Sequence, residues 1–309
     1  MRIPEIQAAL ADAGLDGWLF FDHHGRDPLA YRVLRFEPPR MVTRRWYYFI
    51  PAHGEPRGLV HRIESGMLDA LPGEKLIYSG WRKLDEGLRQ LLGGARRVAM
   101  QYSPLGAVFT ASLVDGGTLE QIRSLGVEVA SSADLLQHFE ARWTSQQLES
   151  HLEAGRRVDA VRRAAFEAIR PGIREHAIQQ LILAAFDREG LFTDHGPIVA
   201  VNANASDPHY EPTAERSAII QPGDVVLIDL WAKLKQPGAV YYDITWTGYF
   251  GPTVPDRVQN IFAIVRDARR QGSLTARAGL SGFEIDDAVR GHISAAGYAD
   301  YFVHRTGHS

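Results

Sequence analysis

Two carboxylates and three imidazoles carry the chemistry that this sequence can offer. Asp229 and Asp243 each sit inside a β-rich apolar run of VVLIDLWAKLKQPGAVYYDITWTGYF (225–250), on either side of a Pro-Gly turn. Water solvates a carboxylate better than a sheet does, so a close pair must be neutralised by a shared proton, by arginines or by cations. If the turn makes a hairpin centred near Gln236, the two aspartates lie opposite or diagonal to each other and can share a face. A pair of divalent ions about 3.5–4 Å apart, bridged by carboxylates, is one arrangement that satisfies such a pair and activates water for hydrolysis. Spacing alone favours a plainer outcome, with one aspartate ending a strand and the other solvated. Upstream, His209 stands in the polar loop VNANASDPHYEPT (201–213), and a lone loop histidine says little by itself. Downstream, His304 and His308 are four residues apart in YFVHRTGHS. Arg305 stands where a zinc-protease helix needs glutamate, and Gly307 disfavours a helix, so that motif is absent.

The elements that must position these residues are legible as patterns. QPGD (221–224) has the Pro-Gly order of a type II turn, so a strand should begin near Val225. Before it, ARWTSQQLESHLEAGRRVDAVRRAAFEAIRPGI reads as a long helix, capped by Thr144 with Gln147 and stopped at Pro171-Gly172. Leu148, Leu152, Gly155, Val158, Ala165 and Ile169 mark its apolar face. A second helix follows in REHAIQQLILAAFDREG, with Ile178, Leu181, Ile182 and Ala185 facing inward. The first part of the chain alternates instead. GWLFFD, RWYYFIP, KLIYSG and RRVAMQYS have the look of strands, and WRKLDEGLRQLL of a helix with Ser79 as its cap. The expectation is an α/β domain over residues 1–141, then an α+β domain over 142–309 with helices backing an antiparallel sheet.

Composition narrows the function classes. With 34 Lys and Arg against 37 Asp and Glu, the net charge is -3, so no field draws nucleic acid or an acidic membrane. Cysteine is absent, which leaves histidine and carboxylate as metal ligands. The N-terminus is an amphipathic helical pattern without the apolar core of a signal peptide, and no apolar run reaches membrane-spanning length. The corresponding expectation is a cytoplasmic protein. Several polar clusters have plain readings. His23 and His24 in FDHHGRDP are loop residues, Arg44 and Arg45 precede a buried strand, and GGARR and VDGGT are turns. The arginines of LEAGRRVDAVRRAA form a solvated helix face.

Taken in order, NANASDPHYEPT, QPGDVVLIDLWA, YYDITWTG, GLSGFEIDDAVRGHISAAGY and HRTGHS resemble the pita-bread metallopeptidases, the superfamily of creatinase, proline aminopeptidase, prolidase and methionine aminopeptidase. The ordered set runs from about Arg142 to Ser309, and the preceding region is similar to the N-terminal domain of the creatinase and proline-peptidase branch. The resemblance implies a pita-bread fold and two divalent metal ions, Mn(II) foremost with Co(II) or Zn(II) possible. It makes Asp229, Asp243 and His308 metal ligands, with His209 and His304 as the catalytic imidazoles beside the substrate. It implies cleavage of Xaa-Pro bonds in short proline-containing peptides by a homodimer. A creatinase-type C–N hydrolase and an inactive binding module on the same fold are the alternatives. Two departures stand out. Trp231 and Trp246 replace glycine and arginine of the usual pattern. Two glutamate ligands, one of them the catalytic carboxylate, belong to strands after the terminal histidine segment, whereas the sequence stops at Ser309. The resemblance therefore leads us to expect an incomplete copy of a longer protein, with a bare sheet edge; the alternative is a natural short form that binds metal weakly and catalyses little.

Overall fold

The computed structural model describes residues 2–37 and 41–307. Two compact units divide the chain, Met1–Arg142 and Trp143–Ser309. Among the described residues, no helix is long and apolar enough to cross a membrane.

In the first unit, β1 (Gly17–Asp22), β2 (Trp46–Pro51), β3 (Arg57–His61), β4 (Glu74–Tyr78), β5 (Arg97–Met100) and β6 (Glu128–Ser131) form one sheet in the order β4-β3-β2-β1-β5-β6. Only β2 runs against its neighbours. Helices α1 (Ile3–Asp12), α2 (Pro28–Leu34) and α5 (Ala133–Leu136) cover one face, and α3 (Trp81–Leu92) and α4 (Gly116–Ser124) the other. Burial on both faces explains why GWLFFD and WYYFIP are apolar without alternation. Strand β3 is missing from the sequence reading because RGLVH offers only three inward residues and no clear period. Two expected turns and caps are corrected. VDGGT opens a helix rather than a turn: Asp115 accepts from the Thr118 N–H at 2.9 Å as the N-cap of α4. Ser79 does not cap α3; Gly80 occupies the N-cap, without any side-chain bond to the helix.

Asp27 caps α2 with Oδ1, accepting from the Ala30 N–H at 2.9 Å, while its buried Oδ2 has no partner among the described residues. Burial, helped by the neighbouring Asp22 charge and opposed by Arg32, pushes its pKa up to about 7. The folded value lies above the unfolded one, so ionisation opposes folding. Its contribution is complete below about pH 4 and is lost as pH rises through about 7, by roughly 2–4 kcal/mol. We expect Asp27→Asn to flatten this decline between pH 5 and 8, as read from denaturant unfolding of variant and wild type at each pH.

The second unit begins with α6 (Ser145–Glu167), whose capping box of Thr144 and Gln147 is formed as read from the sequence. Its inward face differs from the expected one. Ser150, Ala154, Gly155, Val158, Val161 and Ala165 are buried, whereas Leu148 and Leu152 are 46% and 55% exposed. Small residues win that face because the helix lies close against the sheet: a Cβ on Gly155 would stand 2.8 Å from the Tyr242 ring. After α7 (Glu175–Arg188) come β7 (Leu191–Phe192), β8 (Ile198–Val201), β9 (Val225–Leu234) and β10 (Tyr242–Tyr249), then α8 (Asp256–Thr275) and α9 (Gly282–Ala295). All pairings in this sheet are antiparallel, with β9 between β10 and the β7 and β8 segments. Along β9, Val226, Ile228, Leu230 and Ala232 are buried with Ile178, Ile182 and Phe186 of α7. The alternate residues face the other side. Helices α8 and α9 pack through Ala268, Val289 and Ile293, leaving Phe262, Val265 and Phe283 exposed.

Candidate active site

The hairpin of β9 and β10 pairs Ala232 with Tyr242, so its centre falls at Pro237, one residue from the position expected. Asp229 is directly opposite Thr245, and Asp243 directly opposite Trp231. The two aspartates are therefore diagonal neighbours on one face, the face turned away from α6 and α7. The puzzle of carboxylates inside apolar runs resolves simply. Val226, Ile228, Leu230 and Ala232 turn toward the helices, while Asp229 is half-buried and Asp243 exposed on the open side.

Both carboxylates line a cavity of about 510 Å³ together with His209, Tyr210, His195 and Trp231. The Thr245 hydroxyl donates to Asp229 Oδ1 at 2.8 Å and so orients that carboxylate. Trp231 stands on the same face, its Nε1–H donating to Asp194 Oδ1 at 2.8 Å. That bond, more than the adjacent His195, holds the Asp194 carboxyl below its ordinary pKa. Trp246 belongs to the opposite face, where the Arg162 guanidinium lies 4.1 Å over its ring. Trp246, on the helix side, therefore cannot stack on anything held beside the aspartates.

The loop carrying His209 is anchored by a residue that the sequence reading passed over. Glu175, the first residue of α7, is completely buried. Its Oε1 accepts from the Val201 N–H at 2.7 Å and from Asn204 Nδ2 at 3.0 Å. Its Oε2 accepts from the Tyr210 hydroxyl and from the Ala218 N–H, both at 2.7 Å. One carboxylate therefore ties β8, the following loop and the return strand to the helix start. Burial, with the Glu175 bond second, pushes the Tyr210 hydroxyl up to about 12, so it remains a donor. An acidic residue opening a helix looks like an ordinary dipole partner, which is why its wider role was hidden.

The other expected imidazoles fare differently. His304 lies on an exposed segment after α9, against Phe302, with Nδ1 2.9 Å from the Arg305 carbonyl. It is not among the residues lining the cavity. His308 lies outside the described residues. Among the described residues, no three His, Asp or Glu side chains converge to hold a metal by themselves. Two hard carboxylates sharing a face and opening into a polar cavity are nevertheless the donor chemistry that a divalent cation takes. Because Thr245 supports one of them from behind, Thr245→Val is expected to weaken Mn(II) affinity by roughly 10–100-fold. Titration of the metal-free protein followed by isothermal calorimetry measures this.

An antiparallel sheet backed by two helices, presenting paired carboxylates to a cavity, makes this unit an α+β domain. Residues 149–309, more than half of the chain, match Metallopeptidase family M24, and the chain belongs to that family. Its peptidases depend on divalent metal. The "Xaa-Pro dipeptidase" of Lactobacillus delbrueckii subsp. lactis is 30% identical over 178 residues, covering 57% of this chain but only 46% of that protein. The "Probable dipeptidase PepE" of Mycobacterium tuberculosis is 28% identical over 313 residues, covering 99% of this chain and 78% of its own length. Among solved structures, dipeptidase PepE from Mycobacterium ulcerans matches with a TM-score of 0.71 at 25% identity, covering 99% of this chain and 79% of that one. The prolidase of Thermococcus sibiricus gives a TM-score of 0.65 at 22% identity, with 99% and 80% covered. The fold is the pita-bread arrangement of these proteins, as the sequence motifs imply.

Proposed function

We propose that this chain is a metal-dependent peptidase that cleaves the bond before proline in short peptides. The observation that carries this reading is the diagonal placement of Asp229 and Asp243 on one sheet face, with His209 across the same cavity. Asp229 and Asp243 would hold the metal, with His308 as a further ligand and Mn(II) as the first choice. When bound, divalent cations supply Lewis acidity for polarising a peptide carbonyl. The chain's own part is to aim two carboxylates, to keep an imidazole at the cavity wall and to shape the space around the peptide. His209 meets the substrate from a loop whose ends are pinned through Glu175, and it can donate to the oxygen that gains charge. Trp231, fixed by Asp194, forms an apolar wall that a pattern with glycine lacks. A homodimer is part of the same reading.

The direct test is hydrolysis of an Xaa-Pro dipeptide by the Mn(II)-loaded protein, with the same peptide lacking proline as comparison. Cleavage of the proline peptide that stops on addition of a chelator is the expected result. Intact Xaa-Pro peptide in the presence of protein shown by elemental analysis to hold metal would sink the substrate assignment. Chelator-resistant hydrolysis of creatine would replace it with the C–N hydrolase alternative.

A further inference from the structure

The carboxyl ends of the parallel strands in Met1–Arg142 hold a second constellation, which the peptidase reading leaves unused. Tyr47 of β2 pairs with Phe21 of β1 and with Leu59 of β3. Two residues further toward the same rim come His23, Arg45 and His61, and His61 is in register with Tyr78 of β4. Side chains alternate along strands, so His23, Arg45, His61 and Tyr78 form one row across four neighbouring strands on the face covered by α3 and α4. This row, joined by Arg44, walls a cavity of about 250 Å³ that Asp and Glu do not line. Ligands of open α/β sheets bind at this end of the strands.

Three further features favour an anion here. The Tyr47 hydroxyl, just beneath the row, is completely buried, with the Arg45 side chain within hydrogen-bonding reach and no bond to any other described residue. It lies close enough to Arg45 and Tyr78 for both to bear on its ionisation. It therefore helps to hold the Arg45 side chain at the cavity wall. The start of α3 also lines the cavity through Gly80 and Trp81. This helix of 12 residues has neither a side-chain cap nor an acidic residue in its first turn, so its free N–H groups remain open to an anion. Finally, His61 Nδ1 accepts from the Ile63 N–H at 3.1 Å, which leaves Nε2 to carry the proton and donate. The nearby carboxylates are already committed. Glu64 accepts from the Thr43 N–H, the Thr43 hydroxyl and the Arg44 N–H at 2.8, 2.6 and 3.1 Å. Asp115 accepts from the Thr118 N–H and hydroxyl at 2.9 and 2.8 Å. His23 is held below its ordinary pKa first by burial, then by the charges of His24, Arg26 and Arg45, as a site of positive potential requires.

We propose that this crevice binds a small oxyanion of the phosphate or carboxylate class, gripped by Arg44, Arg45, His61 and the start of α3. The site is independent of the metal-binding reading of the second unit. Its test uses the metal-free full chain, with inorganic phosphate and malonate as probes, calorimetry for affinity and NMR for the His23 and His61 titrations. Saturable binding that raises the His23 pKa is expected. Arg45→Gln, which keeps the backbone carbonyl that accepts from Tyr78, should weaken it about tenfold or more. Asp243→Ala, in the other unit, should leave binding unchanged. Tighter phosphate assigns the site to phosphate monoesters, and tighter malonate to carboxylates. The proposal is overturned if neither probe saturates, or if folded Arg45→Gln binds as tightly as wild type.

Discussion

Asp243→Ala is expected to strip divalent metal from the protein, leaving less than one tenth of the wild-type content by elemental analysis after gel filtration. The residue contributes one of two hard donors on the shared face of β9 and β10, and neither neighbour in the register can replace it. Thr245, two residues on, is already donating to Asp229. Trp231, directly opposite, offers only an N–H that is spent on Asp194. Removing a group that only hydrogen-bonds to a metal ligand costs about 10–100-fold in metal affinity, so loss of a ligand should exceed that range. Asp243→Asn separates charge from shape, since it keeps an acceptor oxygen but not the negative charge, and it should fail nearly as completely. Neither substitution should cost much stability, because Asp243 is exposed on the open face. Retention of full metal content by a folded Asp243→Ala protein would move the metal site elsewhere and remove the basis of the peptidase reading.

Glu175→Ala should produce the largest loss of stability in the second unit, on the order of 3–5 kcal/mol in urea unfolding. Four donors converge on this buried carboxylate, two of them backbone N–H groups. Alanine would leave each to find water in a space closed to it. Glu175→Gln tests charge against hydrogen bonding: its amide keeps one acceptor but presents an N–H toward groups that also donate, so a smaller loss of about 1–3 kcal/mol is expected. A merely space-filling role predicts no such difference, and Glu175→Gln equal to wild type would rule out the charged hub. Hydrogen exchange at Val201 and Ala218 should accelerate in both variants more than exchange in α6, because the opening is local to the anchored loop.

How much of this was legible before folding depends on the range of the interaction concerned. The capping box at Thr144, the turn before Val225 and the alternation through β9 are local signals, and each appears in the structure as read. So does the hairpin, displaced by one residue, because turn chemistry and strand period are set within about ten residues. The motifs that carry the family resemblance are likewise short and ordered along the chain. Gly155, Val158 and Ala165 lie on the inward face of α6 as read, but Leu148 and Leu152 do not, because leucine outranks serine and alanine in a hydropathy pattern. The sheet's demand for close approach at Tyr242 decides otherwise.

By itself, the sequence determined the element types around the site, the pairing of the two aspartates in one hairpin, and the family. Tertiary structure alone decided that the aspartates are diagonal neighbours facing a cavity, and that Trp231 faces it while Trp246 turns to Arg162. It also made Glu175 the anchor of the His209 loop, and gathered His23, Arg45, His61 and Tyr78 into one row from four separate strands. The physical reason is that hydrogen bonds and charges act over a few ångströms in space, whatever the separation along the chain. Glu175 is 43 residues from one of its donors, and no pattern along the sequence records that meeting.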